Sequence, residues 1–228
     1  MKLIKIFIRD TVSRFFQGKK SSYKRHNAEY EEEGKLAVEK ATAEKYKRED
    51  LFNGPENKFR DLLEMYPNHR DIAIDIGSGA GWLSAELSRY FKDVYAIEPS
   101  DAAIIIARKI YTGAAFGNIH WIQGFAEEQL AALMKKIDKP AAFFTGCVFA
   151  HLRDEEVLKI CAVLRSAPKG SILGFSEPWG IEHHHLMWHV RTQEWWRSVL
   201  SGYELDFFGP QIEGVEGRYK GFRGIKVL

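Results

Sequence analysis

From residue 71 onward the chain alternates short, mostly apolar runs with longer segments whose apolar residues recur every three or four positions. The runs at 71–76, 93–98, 118–123, 141–147 and 171–177 predict strands of the buried type, since neither face keeps a regular polar set. The segments between them, 81–91, 100–111, 126–136 and 154–167, predict helices with one apolar stripe. Strands alternating with helices of this length imply parallel βαβ units with right-handed crossovers. A helix over 192–200 and strands over 203–208 and 219–227 complete an α/β fold, a doubly wound, mostly parallel sheet of seven strands. Upstream the pattern changes. Residues 55–66 predict one more helix, stopped by Pro67, and the highly charged stretch 19–50 reads as a linker and a solvated helix. In residues 2–18, Ile4, Phe7, Ile8, Val12, Phe15 and Phe16 share one helical face. The chain therefore divides into an N-terminal helical extension, 1–66, and a sheet domain, 67–228.

Composition narrows the picture. A chain of 228 residues with 45% hydrophobic and 13% aromatic residues has material for one well-cored domain and is no disordered polymer. Its two cysteines, Cys147 and Cys161, cannot staple a secreted fold or form a zinc site alone, so we expect a reducing, cytoplasmic setting and no metal. No apolar run approaches the roughly 20 residues needed to span a bilayer. The formal charge of +2 hides an asymmetry: residues 1–25 carry a net +7, and the remainder −5. The near-neutral balance, with no dominant basic stripe, argues against nucleic acid as a partner. The basic amphipathic segment 1–20 predicts either peripheral contact with an anionic membrane surface or docking on the domain itself.

The main chemical signal lies where the first strand runs into its helix, at Asp75-Ile76-Gly77-Ser78-Gly79-Ala80-Gly81. Glycines there permit a tight turn and close approach of a ligand to the backbone. Glu98 ends the second strand, placed to accept hydrogen bonds from the hydroxyls of a ribose. Dinucleotide sites use G-x-G-x-x-G, with a pyrophosphate over the helix start. Here the spacing is G-x-G-x-G, and a carboxylate two residues before it would repel a pyrophosphate. An ammonium group would suit it, and S-adenosylmethionine has an ammonium, a sulfonium and a ribose.

Over residues 71–177 the chain resembles the class I S-adenosylmethionine-dependent methyltransferases. The resemblance implies that Asp75, Gly77, Ser78, Gly79 and Gly81 wrap the methionine moiety and that Glu98 holds the ribose. It places Phe125, Ala126 and Glu127 at the adenine, with Phe125 standing where the family usually has Asp. It also sets the stretch 143–152, including Thr145, against the methionine and the acceptor, without the acid frequent at the start of that strand.

Methyl transfer to oxygen needs a proton removed, and His is the commonest base near neutral pH. His151 follows the fourth strand, at the carboxyl rim where ligands bind in such sheets. A second cluster, His183, His184, His185 and His189, follows the fifth strand, and four of the six tryptophans lie between 179 and 196. This stretch reads as an acceptor pocket with a histidine base and tryptophan faces for a sugar or aromatic ring. A helix would put His185 and His189 one turn apart, as in some metal sites, and a lid with core tryptophans is the third reading. The sequence thus predicts methyl transfer, at oxygen, to a small-molecule or glycan acceptor. A nicotinamide oxidoreductase and a non-catalytic partner protein remain as alternatives.

Overall fold

The computed structural model describes residues 58–146, 148–177, 183–185, 188–208 and 221–228. The amphipathic segment, the charged linker, Cys147 and Trp179 lie outside the described residues. The described chain opens on helix α1 (Lys58–Met65), which buries Leu62 and Leu63. Strand β1 (Ile72–Ile76) is buried along its whole length. It is followed by α2 (Trp82–Leu87), β2 (Asp93–Glu98), α3 (Asp101–Ile110) and β3 (Ile119–Gln123). Then come α4 (Ala126–Met134), β4 (Ala142–Gly146), a 3-10 turn (Phe149–His151), α5 (Asp154–Arg165) and β5 (Ile172–Ser176). A two-stranded ribbon, β6 (His183–His185) and β7 (Trp188–Val190), precedes α6 (Gln193–Val199), β8 (Tyr203–Phe208) and β9 (Gly221–Lys226).

Among the described residues the main sheet has seven strands, in the order β3-β2-β1-β4-β5-β9-β8. The first five are parallel, while β9 runs antiparallel to both its neighbours. The doubly wound, seven-stranded, mostly parallel sheet is thus the architecture of the described residues. Its order reverses between β1 and β4, so the chain leaves β1 toward one edge and later returns to β1's other side. Such a switch point leaves a crevice at the carboxyl ends of the strands.

The period-2 alternation of strand side chains sorts the core into two layers. Ile72, Ile74, Ile76 and Phe143 face the layer that contains Leu130, Ile160, Leu164 and Trp196, from α4, α5 and α6. Ala73, Ala142 and Phe144 face the opposite layer, with Leu62, Leu83, Leu87 and Phe91. Burial on both faces is why β1 reads as an uninterrupted apolar run rather than an alternating one. Helix α2 is shorter than its apolar pattern predicts. The Ser88 hydroxyl bonds back to the Ala85 carbonyl at 2.7 Å, and the chain turns out of the helix there.

The histidine stretch departs from one expectation. The turn of helix that would have stacked His185 over His189 is replaced by an antiparallel ribbon, in which His184 pairs with His189 and His185 with Trp188. Three-residue strands are too short to show a period, so the i, i+4 spacing was compatible with either element. Among the described residues no group of three or more His, Cys, Asp or Glu is placed to hold a metal. None of the described helices is long and apolar enough to cross a membrane.

Candidate active site

The glycine turn sits at the carboxyl end of β1, beside the switch point. Gly77, Gly79 and Gly81 have φ of +73°, +54° and +87°, a region side-chain-bearing residues rarely enter. Close packing adds to the constraint. A Cβ on Gly77 would lie 2.5 Å from Val148 Cγ2, and one on Gly81 would lie 2.3 Å from the end of the Trp121 ring. Gly77→Ala is therefore expected to lower stability by about 2 kcal/mol, combining left-handed strain with a displaced Val148. Chemical denaturation measures it, and a loss below about 0.5 kcal/mol would contradict this account of the turn.

The end of β2, through Glu98, ties the turn in place, and a second carboxylate, Asp75, is tied to α2. The Gly77 and Ser78 amides donate to the Ile97 carbonyl at 2.8 and 3.0 Å, which ties the turn to the end of β2. One residue on, buried Glu98 accepts from the Gly79 amide at 2.9 Å and from the Ser100 amide at 2.8 Å. Asp75 is 1% exposed, and one of its oxygens accepts from the Ser84 hydroxyl at 2.6 Å. Burial pushes its carboxyl up to about 7; the Ser84 bond opposes the rise and the Glu98 charge adds to it. Ser78 Oγ, in the same turn, is buried with no hydrogen-bond partner among the described residues.

Further along the rim, Gly124 donates its amide to the Glu98 carbonyl at 3.0 Å, placing the half-buried Phe125, Ala126 and Glu127 next to the end of β2. Phe125 is the N-cap of α4, and Glu127 lies in its first turn. Across the switch point Thr145 is fully buried, and its hydroxyl donates to Glu177 at 2.7 Å. Glu177 also accepts from the Val148 and Ala150 amides, at 2.8 and 3.2 Å. Burial raises its carboxyl above the usual range, while the hydroxyl and amide donors pull the other way. His151 ends the 3-10 turn on an exposed position.

The structure therefore brings Asp75, Gly77, Ser78, Gly79, Gly81 and Glu98 together, and directs Thr145 into the protein. His151 ends the 3-10 turn beside which β7 lies, and β7 pairs with the strand of His183, His184 and His185. One tryptophan expectation is corrected: Trp196 is 1% exposed and packs on Phe149 and Phe222, so it is core and presents no face to a ligand. Trp195 is partly buried against it, edge to face. Sequence reasoning missed Arg191, a buried guanidinium that holds the loop after β4. A lone Arg between a histidine cluster and a helix carries no motif.

The protein-family model described as a methyltransferase domain matches residues 73–169. Over those residues the chain carries a methyltransferase domain. The strand order and the glycine turn agree with that family, and the match decides against a nicotinamide oxidoreductase. The methyltransferase domain has relatives of several kinds. A protein of Streptococcus mutans named as an uncharacterized RNA methyltransferase is 31% identical over 80 residues, 35% of this chain and 17% of that one. A protein of Methanocaldococcus jannaschii, named a probable cobalt-precorrin-6B C(15)-methyltransferase (decarboxylating), is 30% identical over 79 residues, 35% of this chain and 41% of that one. Among solved structures, an rRNA methylase from Streptococcus thermophilus matches with a TM-score of 0.56 at 16% identity, covering 76% of this chain and 97% of that one. That likeness is one of fold. The chain spans less than half the length of the curated relatives it matches.

These relatives overturn the expectation that nucleic acid is excluded as a partner, since one is named an RNA methyltransferase and a neighbour in fold an rRNA methylase. The physical reason is that whole-chain charge averages over the surface. Phosphate contacts need only a local group of basic residues.

Proposed function

We propose that this chain transfers a methyl group from S-adenosylmethionine to an oxygen of a small acceptor, with sugar or glycan-linked hydroxyls as the first class to try. The observation that carries the reading is the glycine turn with two buried carboxylates beside it, Asp75 and Glu98. The donor set fits such a ligand. Ser78 Oγ is buried without a partner among the described residues, and the buried Asp75 carboxylate is the kind of group an ammonium pairs with. S-adenosylmethionine supplies a methyl carbon already activated by its sulfonium, so alignment is most of the protein's work.

In this reading Asp75 faces the ammonium, and the backbone of Gly77, Ser78, Gly79 and Gly81 lies along the methionine moiety. Glu98 accepts from the ribose hydroxyls. Phe125, Ala126 and Glu127 lie at the adenine, and Thr145 supports the wall through Glu177. His151, or one of His183, His184 and His185, takes the proton from the acceptor hydroxyl. A second reading, a nucleic-acid acceptor, is favoured by the Streptococcus mutans relative.

Calorimetric titration with S-adenosylhomocysteine, with NADH in parallel, tests the reading. Micromolar binding of the first and none of the second supports it, and binding of NADH alone ends it. Glu98→Ala should weaken S-adenosylhomocysteine binding by about 1.5–3 kcal/mol, the range for hydrogen bonds to a charged group. Unchanged affinity would refute the ribose placement. Transfer of a labelled methyl group to a panel of hydroxylated small molecules, and separately to RNA, then separates the two acceptor classes. Cofactor binding without transfer to any acceptor would support a non-catalytic protein.

A further inference from the structure

Two buried charged side chains, at the two ends of the excursion that carries the histidine ribbon, grip the same short loop. At its start Glu177 accepts from the amides of Val148 and Ala150. At its end Arg191, 4% exposed, donates to the carbonyls of Phe149 at 2.8 Å and Leu152 at 2.7 Å. Arg191 also pairs with Asp154 at 2.8 Å, reaches the His189 carbonyl at 3.3 Å, and lies over the Trp195 ring, 4.9 Å from its centroid. Donors of residues 148 and 150 are thus taken by an acid, and acceptors of 149 and 152 by a base.

Simple packing would not require this. Well-packed apolar side chains often stabilise a core as much as buried charges do, but they lack direction. Here the charged groups direct most of their bonds onto one loop. That loop is in contact with the glycine turn, because Val148 lies where a Cβ of Gly77 would be.

We propose that Glu177 and Arg191 are positioning residues. As a two-sided clamp they fix residues 148–152 against the glycine turn, joining the His151 loop and the histidine ribbon to the cofactor wall as one body. The clamp rests on geometry alone, and its link to the cofactor rests on the function proposed above.

Hydrogen exchange on the full chain without ligand, well below each variant's own melting temperature, tests the clamp directly. Arg191→Lys keeps the charge and loses the fork. It should speed exchange about tenfold for the amides of residues 150–152 and of Gly77 and Ser78, while β2 and β3 keep wild-type protection. Asp154→Asn changes only the half-exposed partner of Arg191 and should give a weaker version of the same pattern, even if Arg191→Lys does not fold. Uniform acceleration across the sheet, or a lowered melting temperature with Gly77 and Ser78 unchanged, would overturn the clamp. In a second arm, S-adenosylhomocysteine affinity should fall about tenfold in Arg191→Lys. Faster loop exchange with unchanged affinity would overturn the link to the cofactor wall. A wild-type chain that fails to bind S-adenosylhomocysteine would overturn the proposed function, and the exchange arm would then still decide the clamp.

Discussion

Replacing Trp196 with alanine is expected to destabilise the protein by about 3–5 kcal/mol, the range for truncating a fully buried large aromatic. Its ring centroid lies 5.5 Å from that of Phe149, 4.8 Å from Phe222 and 5.0 Å from Trp195. It therefore joins α6, the last strand of the sheet and the turn after β4 in one aromatic cluster. Among the described residues the indole nitrogen has no hydrogen-bond partner, so Trp196→Phe loses packing volume but none of the described bonds. That variant should cost about 1–2 kcal/mol, clearly less than alanine. Urea unfolding of both variants checks the pair. A Trp196→Ala protein as stable as the wild type would return this residue to the role of a ligand-facing platform.

Asp75→Asn should have opposite effects on stability and on binding. An acid whose folded pKa is raised holds its proton more tightly in the native state than in the unfolded chain. Between the ordinary value of 3.8 and the raised value of about 7, the folded protein therefore binds the extra proton. Stability that is fully present below pH 4 is lost as pH rises to about 7, and stays lost above it. Asparagine carries no charge to desolvate and can still accept the Ser84 hydroxyl bond. The ligand-free variant should be more stable than the wild type at pH 8, on the order of 2 kcal/mol, and equal to it near pH 4. Its affinity for S-adenosylhomocysteine should fall, because the carboxylate that faces the ammonium in our reading is gone. Thermal unfolding of both proteins across pH 4–8 checks the first effect. Parallel pH profiles would show that Asp75 is ionised at little cost.

Much of this architecture is legible in the sequence because it depends on local pattern. The β2 run at 93–98 and the β8 run at 203–208 are found at the predicted residues, since apolar runs bounded by turn residues mark strands well. The glycine turn and Glu98 are legible for the same reason, as spacing along the chain fixes them. What the pattern hides is tertiary. No local feature marks Arg191 as a buried clamp, because its partners are carbonyls 39 and 42 residues away. Glu177 looks like a loose carboxylate beside the histidines until β4 and β5 are paired and the Val148 and Ala150 amides converge on it. The ribbon is hidden because three residues per strand cannot establish a period.

The position of β9 bears on how the chain is assembled during synthesis. It emerges last of the sheet strands, yet it lies inside the sheet, and β8 joins the others only through it. While the ribosome is still making residues 209–220, the five parallel strands can already pair, whereas β8 has no edge to join. Phe222, which packs on Phe175, Phe207 and Trp196, is also missing at that stage. The nascent chain must therefore carry an open β5 edge and an unsealed aromatic cluster until β9 has left the ribosome. This late window is where a chaperone would have most to shield and where edge-to-edge aggregation would begin.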